Sequence, residues 1–307
     1  MCGLKQFSVN MSDPYQVLLY YRYTPIEDPD KFAKWQTDFC NEHDLKGRII
    51  IAEEGINGTV SGTKDSTEAY IEETLGLLET SKMEFKIDSN NGHAFKKLSV
   101  KVRPEIVSLH LSNEQGINPE KITGERLSPE QFLAEMENED VLLLDGRNKY
   151  ESELGRFKGA ICPPIDNFRD FPEWIRENFS DAKNKRILSY CTGGIRCEKL
   201  SGFLIKEGFN SVAQLDGGII NYGKDSLAKG KNFDGQCYVF DQRIGVEVNS
   251  TNPKVITACR RCEISTQRYK NCAYKPCNLQ IFICEKCESE KGRFCDENCQ
   301  SSACSAK

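Results

Sequence analysis

The stretch R-I-L-S-Y-C-T-G-G-I-R-C-E-K (186–199) decides the fold, because it joins a buried-strand pattern to a glycine-containing loop and the start of a helix. The strand pattern ends at Cys191, and the helical pattern runs from about residue 197 to residue 207. A second apolar strand pattern follows at 211–216. This order of strand, loop, helix and strand predicts a βαβ unit in a parallel sheet. Ligands of such sheets bind at the carboxyl ends of the strands, where Cys191 lies.

The loop C-T-G-G-I-R has the composition of an anion cradle around Cys191. Its two glycines allow positive φ and carry no side chains, so backbone N–H groups can turn inward. The positive end of the following helix and the charge of Arg196 favour the thiolate, which is the nucleophilic form of cysteine. An inert core cysteine would not require two glycines and an arginine within five residues. We therefore predict that Cys191 and Arg196 are catalytic and that the active-site loop is completed by Thr192, Gly193, Gly194, Ile195 and Cys197.

Two roles remain open for Cys197. It can pack at the start of the helix, or it can serve as a second redox thiol beside Cys191.

The loop and its surroundings resemble the rhodanese family, whose loop has the form C-x4-R. D-G-R-N-K-Y-E (145–151) resembles the D-x-R-x-x-x-E region, and L-D-G-G-I (215–219) matches the L-x-G-G-I ending. G-R-F-K-G-A-I (155–161) resembles the G-H-I-x-G-A-I stretch but has Arg156 where rhodaneses commonly have histidine. The resemblance implies a rhodanese domain, with a doubly wound parallel sheet, over residues 125–230. Rhodanese-like phosphatases have one more residue between cysteine and arginine, so the shorter spacing favours sulfur or related thiol chemistry.

The residues ahead of this domain predict a ferredoxin-like α+β domain over residues 1–115. Strand patterns and helical patterns alternate there, with strands at 16–23, 48–52, 57–62 and 83–87 and helices after Asp28 and at 64–80. The order β-α-β-β-α-β is that of a ferredoxin-like domain. A linker rich in Lys, Asn and Glu at about 112–124 leads to the next strand pattern, at 141–145. The whole chain is thus expected to be an α/β protein.

A cysteine-rich, zinc-binding domain is predicted over residues 236–307. Its candidate metal ligands are eight cysteines, namely Cys259, Cys262, Cys272, Cys277, Cys284, Cys287, Cys295 and Cys299. Eight thiols suit two structural zinc ions with four cysteines each, and two C-x2-C pairs support this reading. The spacing does not fix the pairing, so sequential and cross-braced arrangements both remain open. Disulfides in an oxidising location and iron–sulfur ligation are the alternatives.

Basic and aromatic residues alternate between these cysteines, a mixture that suits RNA phosphates and unstacked bases. The candidate RNA-binding residues of the tail are Arg260, Arg261, Arg268 and Lys270. A solvated face of a zinc ribbon explains the same residues equally well. Lys96 and Lys97 of the first domain form an equal candidate for the RNA surface. The net charge of −5 gives no nucleic-acid signature for the chain as a whole.

Over nearly all of its length the chain resembles the oxygen-dependent tRNA uridine hydroxylases, which are rhodanese-like proteins. The resemblance is carried by C-T-G-G-I-R-C-E-K (191–199), E-E-G-I-N-G-T (53–59), F-K-K-L-S-V-K-V-R-P-E-I-V (95–107) and C-Y-V-F-D-Q-R (237–243). It implies conversion of the wobble uridine in the anticodon loop of tRNA to 5-hydroxyuridine, with Cys191 as the catalytic residue and molecular oxygen as co-substrate.

The residues themselves do not show how oxygen is activated. The chain contains neither an H-x-D facial triad for iron nor a G-x-G-x-x-G motif for a flavin or nicotinamide. A rhodanese-type sulfurtransferase that carries a persulfide on Cys191 is the first alternative function. A non-catalytic adaptor, in which the rhodanese and zinc modules only bind partners, is the second.

The composition predicts a soluble, cytoplasmic protein with neither a membrane nor DNA as a partner. Hydrophobic residues make up 38% and charged residues 28% of the chain, and no apolar run approaches the roughly 18–20 residues that span a bilayer. The first residues lack the apolar region of a secretory leader. Clustered cysteines in a reducing cytosol point to metal binding.

Overall fold

The computed structural model describes residues 14–78, 83–111 and 116–305, and the chain divides into two units between Val107 and Ser108. The first unit consists of β1 (Tyr15–Tyr23), α1 (Pro29–Glu42), β2 (Lys46–Ala52), β3 (Gly55–Thr63), α2 (Lys64–Leu77), β4 (Phe85–Asn90) and β5 (Ser99–Val102).

The strand order β4-β1-β3-β2-β5 confirms the ferredoxin-like prediction for the first unit. The fifth strand, β5, pairs in parallel with β2 at the edge of the sheet and was not predicted as a separate strand. The strand expected at 83–87 begins two residues later, at Phe85. The helix expected at 64–80 ends at Leu77, and its last two predicted residues lie outside the described part of the chain.

The core of the first unit forms because apolar residues alternate along the strands and recur at helical spacing on the helices. Its buried side chains include Leu18 of β1, Ile49 of β2, Val60 of β3 and Tyr70 of α2. Asp28 caps α1 by accepting a hydrogen bond from the Lys31 N–H at 2.9 Å, which confirms the predicted start of that helix.

The second unit begins with the rhodanese-like part. Its elements are β6 (Glu125–Leu127), α3 (Pro129–Glu135), β7 (Val141–Asp145), α4 (Lys149–Leu154), β8 (Gly155–Phe157), α5 (Phe171–Asn178), β9 (Arg186–Tyr190), α6 (Ile195–Lys206), β10 (Ser211–Leu215) and α7 (Gly218–Lys224). Four of the strands form a parallel sheet in the order β6-β10-β9-β7. The predicted βαβ unit is confirmed, and β9 is one of the two inner strands. Helix α6 begins two residues before the predicted start, because Gly194 takes φ +100 and ends the loop there.

The cysteine-rich part follows in short elements. They are β11 (Phe233–Gly235), β12 (Cys237–Tyr238), β13 (Gly245–Val246), β14 (Tyr269–Asn271), β15 (Gln280–Phe282), α8 (Glu285–Lys291) and α9 (Glu297–Ser305). Strand β11 pairs with β8, so this part is joined to the rhodanese-like part by backbone hydrogen bonds. None of the helices in the described ranges is both long and apolar enough to cross a membrane.

Candidate functional site

Cys191 follows β9 directly, at the carboxyl edge of the parallel sheet, as the sequence predicts. The start of α7 packs against the loop that carries Cys191. The Ile219 N–H donates a hydrogen bond to the carbonyl of Cys191 at 3.0 Å. A Cβ atom at Gly218 would lie 2.6 Å from that carbonyl oxygen and 2.7 Å from the Gly194 nitrogen, so only glycine fits there. The L-D-G-G-I ending of the rhodanese resemblance therefore packs against the cysteine loop.

A buried ion pair supports the same edge of the sheet. Asp145, at the end of β7, accepts hydrogen bonds from Arg147 at 2.6 and 2.8 Å and from the Tyr190 hydroxyl at 2.8 Å. The side chains of the ion pair are fully buried, and their charges compensate each other. Tyr190 immediately precedes Cys191, so this network fixes the point from which the loop leaves the sheet.

The surroundings of Cys191 favour its thiolate. The Gly194 N–H donates to the sulfur at 3.2 Å, and the amino-terminal end of α6 points at the same place. Burial alone raises the pKa of the Cys191 thiol. A hydrogen bond from the Cys197 thiol, the charge of Arg196 and backbone N–H groups outweigh that effect and lower the pKa to about 6. A pKa of about 6 favours the thiolate form of Cys191 at neutral pH.

Arg196 is not a free charge, because it forms a fork with Glu151. Its two terminal nitrogens lie 2.5 and 2.9 Å from the two carboxylate oxygens, and the Glu151 side chain is fully buried. Burial lowers the pKa of Arg196, but the Glu151 carboxylate opposes this and the net pKa is raised. Glu151 was not among the predicted site residues, although it is the acidic residue of the D-x-R-x-x-x-E region.

The structure brings all seven predicted loop residues together. Thr192 is buried, and its hydroxyl lies 3.4 Å from an Arg196 nitrogen and 3.5 Å from the Tyr238 carbonyl. Cys197 is also buried, and burial together with the Cys191 thiolate raises its pKa well above the ordinary value. The raised pKa favours the protonated form of Cys197, whose thiol then donates a hydrogen bond to the Cys191 sulfur.

The Cys191 side chain has no exposed surface. Reactive cysteines are usually partly exposed, whereas inert structural cysteines are buried. The lowered pKa of Cys191 separates it from nearby Cys237, whose pKa is raised to about 12, chiefly by burial. Because Cys191 is buried, a substrate reaches its sulfur only when neighbouring groups move.

The eight tail cysteines converge in two sets of four. One set contains Cys259, Cys262, Cys284 and Cys287, and the other contains Cys272, Cys277, Cys295 and Cys299. The two sets alternate along the chain in pairs, which selects the cross-braced arrangement that the sequence left open. Within each set the sulfur atoms all lie within 4.8 Å of one another, so each set can hold a metal ion.

The contacts inside each set suit a single tetrahedral ion. Sulfur atoms lie 3.6 Å apart between Cys262 and Cys284 and between Cys277 and Cys295, and 3.3 Å apart between Cys295 and Cys299. Four thiolates around zinc, each with a bond of about 2.3 Å, would be roughly 3.8 Å apart. A disulfide joins two sulfurs at about 2.05 Å, so four thiols in mutual contact fit one ion better than two disulfides.

The predicted RNA-binding residues differ in their exposure and in whether a carboxylate compensates their charge. The exposed positions among them are Lys96, Lys97 and Arg260. Arg261 is half-buried and donates to the Phe294 carbonyl at 3.1 Å. Arg268 lies 2.7 Å from the Glu288 carboxylate, so its charge is largely compensated and it is the weakest of the candidates. Lys270 lies half-buried on β14.

Comparison with known proteins covers all three parts of the chain. A family model described as a UPF0176 acylphosphatase like domain matches residues 15–106. A rhodanese-like domain matches residues 128–225, and a model described as rhodanase C-terminal matches residues 234–300.

Two relatives that match nearly the whole chain carry the same name. Proteins named tRNA uridine(34) hydroxylase from Bacillus cereus (strain G9842) and Bacillus anthracis (strain A0248) are each 50% identical to this chain over 289 residues, which is 94% of this chain and 90% of theirs. Among solved structures, the rhodanese-like domain of an Anabaena sp. protein aligns with 44% of this chain and 93% of its own, at 18% identity and a TM-score of 0.32.

Proposed function

The chain belongs to the tRNA uridine(34) hydroxylase family, and from that membership we propose that it converts the wobble uridine of tRNA to 5-hydroxyuridine through the Cys191 thiolate. The observation that carries the proposal is the lowered pKa of Cys191 inside a cradle of N–H groups at the end of β9. A thiolate is a nucleophile at neutral pH, and its position at the carboxyl edge of a parallel sheet is where substrates bind.

The chemistry that we propose starts with addition of the Cys191 sulfur to C6 of uracil. The electrons of the C5–C6 double bond then move towards C5, which becomes electron-rich. C5 attacks one oxygen of a peroxide, the O–O bond breaks, and the other oxygen leaves as water after taking a proton. Loss of the C5 proton and departure of the thiolate restore the double bond, with a hydroxyl group now on C5.

In this scheme a peroxide formed from molecular oxygen by a two-electron reductant supplies the oxygen atom. The protein supplies the nucleophile and stabilises its anionic form, through the Gly194 N–H, the Cys197 thiol and Arg196. Glu151 holds Arg196 in one orientation with a two-point contact, so the positive charge stays close to the sulfur.

We assign the remaining parts of the chain to substrate binding and to structure. The domain division is that predicted above: residues 1–115, 125–230 and 236–307. The two cysteine sets bind one structural zinc ion each, which holds together a region of short elements. Two separate surfaces are candidates for contact with tRNA phosphates: Lys96 and Lys97 in the first unit, and Arg260 with Arg261 in the second. A tRNA substrate and free thiols both suit the cytoplasm.

Mass analysis of tRNA from cells that lack the gene tests the function directly. Loss of 5-hydroxyuridine derivatives, restored by the wild-type gene and not by a Cys191→Ser copy, is the expected result. Loss of a thiolated base would instead identify a sulfurtransferase that carries a persulfide on Cys191. Unchanged tRNA would identify an adaptor.

A further inference from the structure

We infer that Phe240 is the platform on which the target uracil stacks when it approaches Cys191. The inference deepens the proposed function, because it names the residue that receives the base. Phe240 lies in C-Y-V-F-D-Q-R (237–243), a stretch that carried the family resemblance but has no role in the chemistry described above.

Phe240 is at the tip of a well-fixed turn between β12 and β13. The Val239 N–H donates to the Ile244 carbonyl at 2.8 Å and closes the turn. Inside it, the buried carboxylate of Asp241 accepts hydrogen bonds from the Arg243 side chain at 2.6 and 2.9 Å and from the Arg243 N–H at 2.9 Å. These bonds fix the backbone on both sides of Phe240.

The Phe240 side chain is held out in solvent. It is 45% exposed, while Val239 before it is buried. Every other phenylalanine, tyrosine and tryptophan in the described ranges is buried or half-buried. A single exposed apolar side chain is ordinary on a protein surface, so exposure alone carries little weight. The position of Phe240 beside the reactive loop is what distinguishes it.

Two contacts place the ring next to that loop. The guanidinium carbon of Arg196 lies 5.9 Å from the centre of the Phe240 ring. The ring of Tyr238 meets Phe240 edge to face, with 5.2 Å between centres and 76° between planes. Tyr238 also touches the loop directly, because its carbonyl is 3.5 Å from the Thr192 hydroxyl. Phe240 is therefore anchored to the site, yet nearly half of its side chain is left uncovered.

An unstacked pyrimidine base is the ligand that this arrangement suits. A wobble uridine must leave the stack of the anticodon loop before a thiolate can reach its C6 atom. Aromatic side chains receive such bases by stacking, which does not depend on hydrogen bonds to the base edge. Phe240 would hold the base plane while the loop opens towards the sulfur.

The test uses the full-length protein and an anticodon stem–loop RNA, with hydroxylation measured against RNA concentration. Phe240→Leu keeps the apolar bulk but removes the ring, and it should raise the KM for RNA about 10-fold. Phe240→Trp keeps a stacking surface and should stay within about 3-fold of wild type. Leu227→Ala alters another exposed apolar side chain of the same unit, 55% exposed, and should have no effect.

Two further measurements keep the result interpretable. Alkylation of Cys191 by iodoacetamide in Phe240→Leu should be at least as fast as in wild type, which shows that the loop is intact. In Phe240→Trp, the emission of the new tryptophan is the difference in fluorescence from wild type. A stem–loop with uridine at the wobble position should quench this emission. A stem–loop that lacks this base should not quench it.

Equal KM values for Phe240→Leu and wild type would overturn the inference. An equal rise of KM in the leucine and tryptophan variants would overturn it too. Quenching does not require turnover, so it separates the two proposals. If wild-type protein makes no 5-hydroxyuridine but Phe240→Trp is quenched by the uridine-containing loop, the base platform stands and the hydroxylation proposal fails. If hydroxylation proceeds without any quenching, the platform is elsewhere.

Discussion

Cysteine thiols of the second unit have two different kinds of neighbour. At the end of β9 a single sulfur, that of Cys191, is surrounded by N–H groups, a thiol donor and a guanidinium. In the tail, sulfurs meet one another in sets of four. One thiolate can be stabilised by hydrogen bonds and a nearby charge, whereas four thiolates in contact require a cation between them. The same side chain therefore has surroundings that suit a reagent in one region and a metal ligand in the other.

Replacement of Cys191 by serine should give the largest effect. Serine is nearly isosteric but is not ionised at neutral pH, so hydroxylation should fall by about 10³-fold or more while the fold is kept. Quantifying 5-hydroxyuridine by mass spectrometry after reaction with tRNA measures the loss. Cys237→Ser is the matched control, because Cys237 is also buried beside the loop but has a raised pKa, and it should retain activity. Activity in the Cys191 variant would exclude thiolate chemistry.

Removal of one tail ligand should cost one of two metal ions. Protein purified under reducing conditions should contain about two zinc ions per chain, and Cys284→Ala should contain about one, because the two sets share no ligand. Elemental analysis and circular dichroism give the metal content and the folding of the tail. Cys304→Ala, which removes an exposed cysteine outside both sets, should still bind two ions. Loss of both ions from Cys284→Ala would mean that the sets do not bind independently.

The pH dependence of thiol reactivity should distinguish Cys191 from ordinary cysteines. Only the thiolate is alkylated, so the rate at Cys191 should fall as pH drops through about 6 and level off above it. Cys197→Ala removes a hydrogen-bond donor to the thiolate and should move this midpoint up by about one pH unit. Cys197→Ser retains a donor and should move it less. Peptide mass mapping of zinc-loaded protein separates Cys191 from the tail. If neither substitution shifts the midpoint of Cys191 alkylation, Cys197 only packs at the start of the helix.

Charge reversal on the proposed RNA surfaces should give the smallest effect. Arg260→Glu in the tail, or Lys96→Glu with Lys97→Glu in the first domain, should raise the Kd for tRNA by about 3- to 10-fold and flatten its dependence on salt. Cys191 alkylation should not change, because these residues act on binding only. Lys34→Glu, at an exposed lysine of α1, controls for net charge. If neither surface alters the Kd, the tRNA is bound elsewhere.

Much of the fold was predictable because its signals are local. Strands β7, β9 and β10 fall where apolar runs lie between polar turns, and Asp28 marks the start of α1 because its side chain caps the first turn. Strand β5 was not predicted as a separate element. Its four residues pair only at the edge of the sheet, and so short a segment carries little periodicity.

The sequence by itself determined which residues can do chemistry. A cysteine before two glycines and an arginine predicts an activated thiol, and paired cysteines at short spacing predict metal ligands. Each of these signals lies within a few residues of the chain. Only the tertiary structure decided how these residues combine. It assigned each tail cysteine to its set, gave Arg196 the counter-ion Glu151, and placed Phe240 beside the loop. The two cysteine pairs of each set, Arg196 and Glu151, and Phe240 and Arg196 are separated by 18 to 45 residues along the chain. Chain spacing does not encode contacts that form only when separate strands and turns pack together.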